Sequence, residues 1–147
     1  MKTIRQILKH KGHEIWHTDP NASVFDALQM MADKDVGALL VMENDRVIGI
    51  FSERDYARKV ILKGKSSKKM AVKEIMSSPV IYITPEINAE QALGLMVAKR
   101  VRHLPVMDGD KLIGFVSIGD LVNAIIAHQR QVIDQLEKHI LENTSIT

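Results

Sequence analysis

The chain has 147 residues, of which 46% are hydrophobic and 26% are charged, and this balance is typical of one globular domain or of two small domains that share a core. The formal net charge is only +2, so the composition gives no reason to expect a nucleic acid or a membrane surface as a partner. The chain contains no cysteine, which excludes disulfides, thiolate catalysis and cysteine-based metal sites.

The sequence also limits location and chemistry. No apolar run reaches the roughly 18 residues of a membrane span, and the N-terminal residues lack the apolar core of a signal peptide. We therefore expect a cytoplasmic protein. Apart from the loose pair His10 and His13, the six histidines show no metal-ligand spacing, and no serine, histidine and acid stand in a catalytic pattern. We expect neither a metal site nor an enzyme.

The first half of the chain, residues 1–63, predicts a lead-in helix, an extended segment, a second helix, a β-hairpin and a final helix. Ser23 can cap the second helix. The hairpin strands fall at residues 36–42 and 47–51, and the final helix at residues 55–62, with Ile61 turned inward. The apolar face of the second helix consists of Val24, Ala27, Leu28, Met31 and Ala32.

A basic connector, residues 64–70, leads into a second half, residues 71–127, in which the pattern begins again. Residues 72–76 mirror the lead-in helix, residues 80–83 mirror the extended segment, and a helix and a hairpin follow. The apolar face of this helix consists of Ala89, Ala92, Leu93, Met96 and Val97.

The two halves end on one motif, repeated at a distance of 65 residues. Its copies are Gly49-Ile50-Phe51-Ser52-Glu53-Arg54-Asp55 and Gly114-Phe115-Val116-Ser117-Ile118-Gly119-Asp120. The same shift also superimposes identical residues at Ala27, Leu28, Met31, Lys34, Val36, Leu39, Val41, Met42, Asp45 and Ile48. We therefore predict a tandem duplication. Its fold class is α/β (α+β), with two β-α-β-β-α repeats that pack around a pseudo-twofold axis and leave two related clefts.

Each motif copy places a serine and an aspartate where a strand meets the start of a helix. A hydroxyl, a carboxylate and free backbone N–H groups at this position can hold a ribose and a phosphate. The same two side chains can also act only as a helix N-cap. The duplication favours the binding role, and both interpretations stay open.

The repeat resembles a pair of cystathionine β-synthase (CBS) domains, the arrangement called a Bateman module. The resemblance rests on the duplicated motif, on residues 102–106 (Arg-His-Leu-Pro-Val) and on the lead-in at residues 72–76, and it extends over about residues 1–127. It implies a stand-alone CBS-pair protein that senses adenine nucleotides or related adenosyl ligands and is not a catalyst.

In the family, the ribose aspartate of one repeat faces walls that the other repeat supplies. For cleft one, the resemblance implies the residues Ser52, Arg54, Asp55, Val80, Tyr82, Thr84, Ala89, Arg102 and His103. For cleft two, it implies Ser117, Gly119, Asp120, Ile15, His17, Asp19, Val24, Gly37 and Ala38.

The two clefts differ in charge, because Gly119 stands where the first copy has Arg54, and Ala38 where the second half has His103. Cleft one should therefore hold phosphate more tightly. We rank AMP first as the ligand, followed by NAD and ATP, while ADP and S-adenosylmethionine stay open. The alternative is a dimeric scaffold with vestigial clefts and no ligand, and the regulated partner protein is unknown.

The C-terminal extension, residues 128–147, continues a helical pattern that opens at Asp120. A long apolar stripe in water is unfavourable, so we expect it to pack on a second copy in a homodimer. The stripe consists of Leu121, Val122, Ile125, Ile126, Val132, Ile133, Leu136, Ile140 and Leu141.

Overall fold

The chain, represented by a computed structural model that describes residues 1–144, divides into two compact units. The first unit is Glu14–Ile81, and the second joins Met1–His13 to the chain from Tyr82 onward. Both units mix helices with small sheets, which confirms the α/β class. Each unit contains a lead-in from the other half of the sequence: residues 1–13 join the second motif copy, and residues 70–81 join the first.

The chain opens with helix α1 (Ile4–Lys11), which belongs to the second unit. The first unit contains β1 (His17–Thr18), α2 (Val24–Lys34), β2 (Ala38–Glu43), β3 (Arg46–Ser52) and α3 (Glu53–Lys59). Strand β1 is parallel to β2, and β2 is antiparallel to β3. The hairpin turns at Asn44 and Asp45, whose φ angles of 51° and 62° are typical of a type I′ turn. The buried core is Val24, Ala27, Met31, Leu39, Val41, Phe51, Val60, Val72 and Ile75.

The rest of the second unit contains α4 (Ala89–Lys99), β4 (His103–Asp108), β5 (Lys111–Ser117) and the C-terminal helix α5 (Ile118–Glu142), which confirms the predicted helical extension. Strands β4 and β5 form an antiparallel hairpin in the register of the first unit's hairpin, and Ser117 pairs with His103 as Ser52 pairs with Ala38. The last residues of the predicted extension, 145–147, lie outside the described residues.

The predicted extended segment at residues 80–83 forms one bridge, a parallel one between Ile83 and Val106. Other local predictions were wrong. The mirror of the lead-in helix is a short 3₁₀ turn, Val72–Glu74. Helix α3 ends at Lys59, and a 3₁₀ turn follows that leaves Ile61 55% exposed. Two residues placed on apolar helix faces, Ala32 and Val97, are also exposed.

The exchanged lead-ins satisfy backbone groups at the starts of α2 and α4. The N–H of Val24, the first residue of α2, donates to Met70 O at 2.9 Å, and the N–H of Ala89, the first residue of α4, donates to Lys2 O at 3.1 Å. These amides have no partner inside their own helices. The lead-ins therefore complete the helices of the repeat that they join.

The lead-ins also explain why the motif begins with glycine. A methyl group built at Gly49 would lie 2.5 Å from Met76 Sδ, and one at Gly114 would lie 2.6 Å from both Cδ atoms of Leu8. Gly49 and Gly114 are themselves buried, and Leu8 is completely so. In each unit the missing side chain makes room for an apolar residue of the lead-in.

Helix α5 extends beyond the packed part of its unit. Its first buried residue is Leu121, whereas every residue from Gln129 to Thr144 is exposed. Among residues 1–144, no helix combines the length and the apolar character needed to cross a membrane.

We predict that Gly114→Ala lowers the free energy of unfolding by about 1–3 kcal/mol, because the added methyl group overpacks against Leu8. Gly94→Ala, on the exposed side of α4 with no atom within 4 Å of the new methyl group, is the matched control and should add about 0.5–1 kcal/mol by helix propensity. Urea denaturation of the three proteins measures both effects. Equal stability of Gly114→Ala and the parent protein would show that Leu8 does not depend on this glycine.

Candidate ligand site

The two serine–aspartate pairs form the same capping box. Ser52 has extended backbone angles at the N-cap of α3; its Oγ accepts from Asp55 N at 3.2 Å, and Asp55 Oδ2 accepts from Ser52 N at 3.0 Å. The corresponding distances for Ser117 and Asp120 at the start of α5 are 3.2 and 2.8 Å. Both aspartates therefore cap helices, and any role in binding comes in addition to this.

The carboxylate of Asp55 is buried and already holds several donors. Its Oδ2 accepts from Ser52 Oγ at 3.0 Å, while its Oδ1 accepts from Ser77 Oγ at 3.0 Å and lies 3.1 Å from Lys59 Nζ. Ser77 comes from the lead-in, so the exchanged segment brings a hydroxyl to this carboxylate. The carboxylate of Asp55 therefore already accepts from a hydroxyl group of its own chain.

The carboxylate of Asp120 is more open, and a cation replaces the serine hydroxyl. Lys11 Nζ, at the end of α1, lies 2.6 Å from Asp120 Oδ2 and donates to Phe115 O at 2.7 Å. Within residues 1–144, the hydrogen bonds that Asp120 accepts all go to Oδ2. Its Oδ1 is therefore left for another donor, such as a ligand hydroxyl.

Lys11 and Ser117 together lower the pKa of Asp120. Partial burial would raise the pKa of Asp120, but the hydrogen bonds from Lys11 and Ser117, together with the positive charge of Lys11, outweigh it and lower the pKa below its usual value. The lowered pKa favours the ionised form of the carboxyl group, in which the remaining oxygen, Oδ1, can accept from a further donor.

The other predicted site residues are distributed over both units. The start of each middle strand lies beside the motif of its own unit: Glu53 N donates to Gly37 O at 3.1 Å, and Ile118 N donates to Arg102 O at 2.9 Å. His103 stacks on Phe115 with ring centroids 5.5 Å apart. The grouping of these residues into two clefts stays a prediction.

The remaining predicted wall residues differ in exposure. Val24 and Ala89 are completely buried as the first residues of their helices, whereas Tyr82 is 44% exposed. The other exposed positions are His17, Asp19 and Thr84, and the half-buried ones are Ile15 and Val80.

Sequence reasoning missed Ser77 and Lys11, the two lead-in residues that reach the motif carboxylates. The shift that relates the lead-ins, Leu8 to Met76, is 68 residues and differs from the shift of 65 for the motifs, so a single repeat alignment cannot superimpose both. These two side chains reach the motif carboxylates only because each lead-in packs in the unit of the other half of the sequence. Among the described residues, no group of three or more histidines and acidic side chains could hold a metal ion.

Comparison with known proteins gives one family. The model of the CBS domain matches residues 4–62 and 72–127. The mitochondrial CBS domain-containing protein CBSX3 of Arabidopsis thaliana is 38% identical over 94% of this chain and 71% of its own length. A solved structure of a protein with CBS domains from Burkholderia ambifaria MC40-6 is 49% identical, with a TM-score of 0.83 over 87% of this chain and 96% of that one.

A more distant structure shares the fold alone. The CBS domain pair of protein MJ0100, solved in complex with 5′-methylthioadenosine and S-adenosyl-L-methionine, is 18% identical, with a TM-score of 0.75 over 87% of this chain and 98% of that one.

We predict that Lys11→Met raises the pKa of Asp120, since burial of the carboxyl group remains and its cation is removed. A lowered pKa stabilises the fold above the usual carboxyl range, and this contribution is lost as pH falls through the lowered pKa. Because Lys11 is 38% exposed, we expect a loss of only about 0.5–1 kcal/mol at pH 7 that shrinks below about pH 4.

Urea denaturation at several pH values, together with NMR titration of the carboxyl group, measures both quantities. Lys9→Met, on the same exposed turn of α1, is the control and should change neither. An unchanged Asp120 titration in Lys11→Met would rule out the ion pair in solution.

Proposed function

The chain belongs to the CBS-domain family, and from this premise we propose that it is a regulatory module that binds an adenosine-containing ligand. The observation that carries the proposal is the duplicated serine–aspartate pair at the starts of α3 and α5, each supplied with a further polar group by an exchanged lead-in. In this role the protein is a sensor and not an enzyme. We keep the cytoplasm as its proposed location.

Ribose recognition follows from the chemistry of the carboxylates. An ionised carboxylate accepts from the two adjacent ribose hydroxyls, and hydrogen bonds to a charged group contribute roughly 1.5–3 kcal/mol each. At Asp120 the free Oδ1 can take one hydroxyl at once. At Asp55 a ribose has to displace or share the hydroxyl of Ser77.

Phosphate recognition follows from the cations beside the same carboxylates. Lys11 lies at Asp120 and Lys59 at Asp55, and an ammonium group that bridges a carboxylate and a phosphate satisfies both charges. We propose AMP as the first candidate, followed by NAD and ATP, in the two clefts assigned above. The ligands solved with the CBS pair of MJ0100 keep S-adenosylmethionine among the alternatives.

A dimeric scaffold without a ligand is the second candidate. It is favoured by the state of Asp55, whose two carboxylate oxygens are both satisfied by groups of its own unit. The openness of Asp120, which is 23% exposed at the side chain, favours ligand binding at the second site instead.

We also infer a homodimer formed through the second half of α5. Five apolar side chains there are 45–71% exposed: Val132, Ile133, Leu136, Ile140 and Leu141. Covering half of such a side chain is worth about 1 kcal/mol. Four of them (Val132, Ile133, Leu136 and Ile140) lie on or beside one face of the helix, and covering these in two copies would contribute about 8 kcal/mol, which lies within the association cost of about 4–15 kcal/mol.

We predict that deletion of residues 128–147 halves the mass measured by light scattering, because it removes the exposed apolar part of α5. Circular dichroism and urea denaturation should show that the shortened protein stays folded, since the removed residues from 129 to 144 are exposed. A shortened protein that keeps the mass of a dimer would place the interface elsewhere.

For the ligand, we predict that AMP, NAD, ATP or S-adenosylmethionine at millimolar concentration raises the melting temperature of ligand-free protein, because a ligand that binds only the folded state stabilises it. Asp55→Ala and Asp120→Ala should each weaken one of two separable sites by about 30- to 150-fold, or about 2–3 kcal/mol. Arg54→Gly should make the first site resemble the second.

Calorimetry on folded variants separates binding from capping, since loss of a cap alone costs only about 1 kcal/mol of stability. Asp26→Ala, an exposed acid in the first turn of α2, is the matched control and should keep the parental affinity. If both motif variants also keep it, the aspartates are caps only; if no adenosine compound binds at all, the scaffold is the better description.

A further inference from the structure

The exposed half of α5 carries a heptad repeat. Isoleucines recur every seven residues at Ile126, Ile133 and Ile140, and between them lie Gln129 and Leu136. Their alternating spacing of three and four residues is that of the a and d positions of a coiled coil, with isoleucine at every a position. Val122 and Asn143 extend the d positions at the two ends.

These seam residues lie on one exposed face of a single helix. Ile126 is 41%, Ile133 55%, Leu136 60% and Ile140 57% exposed. From Gln129 to the end of α5 every residue is exposed, so this part of the helix has no packing partner within the described chain. An isolated helix of about 15 residues is only marginally stable in water, so this segment depends on a partner for its stability.

We propose that residues 122–143 pair with the same residues of a second copy as a parallel, in-register, two-stranded coiled coil. Isoleucine at the three a positions, together with leucine at the d position 136, matches the combination that favours two parallel strands. In this register Ile126, Ile133 and Ile140 each meet their own counterpart, and Gln129 meets Gln129, so that two amides can bond to each other. The proposal rests on the homodimer inferred above and specifies its interface.

An antiparallel pair fits the same seam less well. With Ile133 opposite Leu136, it places Ile140 opposite Gln129 and so sets a polar amide against an apolar side chain. Its advantage is an ion pair between Arg130 and Glu137, which flank the seam. Exposed ion pairs contribute little, whereas an unpaired amide in an interface is costly, so the parallel register is favoured.

A membrane surface is a less suitable partner for this face of α5 than a second helix. The charged residues from position 128 to position 142 include two cations, Arg130 and Lys138, against three acids, Asp134, Glu137 and Glu142. Helices that lie on anionic membranes carry an excess of lysine and arginine on the polar face. The charge of α5 therefore favours a protein helix, and its self-complementary heptads favour its own copy.

Single cysteines test the register directly, because the chain has none of its own. Gln129→Cys and Ile140→Cys place one thiol at a d and at an a position of the seam, and Gln131→Cys places it at the outer f position as the matched control. In the full-length protein under mild oxidation, we expect both seam variants to form disulfide-linked dimers at least tenfold faster than Gln131→Cys. Non-reducing electrophoresis gives the rates.

The other outcomes decide against the proposal in different ways. If Gln129→Cys and Ile140→Cys cross-link only when they are mixed, the helices are antiparallel, since those two positions then face each other. If light scattering shows a dimer and no seam variant cross-links faster than Gln131→Cys, the dimer exists but its interface lies elsewhere. If the parent protein is a monomer at the concentration of the experiment, both the homodimer and the coiled coil are wrong.

Discussion

The structure depends on the close packing of each lead-in against the glycine of a motif. Leu8 fills the place of a side chain at Gly114, and Met76 does so at Gly49. Complete burial of a leucine is worth roughly 1.5–3 kcal/mol, and the same contact fixes the direction in which the lead-in leaves the sheet. That direction carries Lys11 to Asp120 and Ser77 to Asp55. The apolar contact thus positions the polar groups of the candidate sites.

The two sites have the same backbone and different electrostatics. Both begin with a serine N-cap and an aspartate three residues later, so the carboxylates lie at equivalent places. One carboxylate is buried and satisfied by serine hydroxyls and a lysine of its own helix, and the other is partly open and paired with a lysine from a distant part of the sequence. Since duplication alone would give identical sites, their difference arises from what the two lead-ins supply and from substitutions within the helices themselves, such as Lys59 in α3.

Much of this architecture could be predicted from the sequence, because it depends on local or repeated patterns. The duplication, the hairpins, the serine caps and the C-terminal helix follow from spacing over short distances. Other features depend on contacts distant in sequence. The exchange of lead-ins joins residues about 100 positions apart, such as Lys11 and Phe115, and no periodicity marks it. Val97 has the helical spacing of a core residue, yet it is exposed near the end of α4. Spacing along a helix does not show whether another element covers that part of the helix.

The exchange also has a consequence for the order in which the protein can be built on the ribosome. The unit Glu14–Ile81 is one continuous stretch, complete as soon as its last residue has left the exit tunnel. The other unit is discontinuous, and residues 1–13, although synthesised first, find their partners only after Tyr82 and the hairpin behind it have emerged. The apolar side chains of α1 are therefore exposed during most of translation. Residues 1–13 are therefore made before the first unit and folded after it.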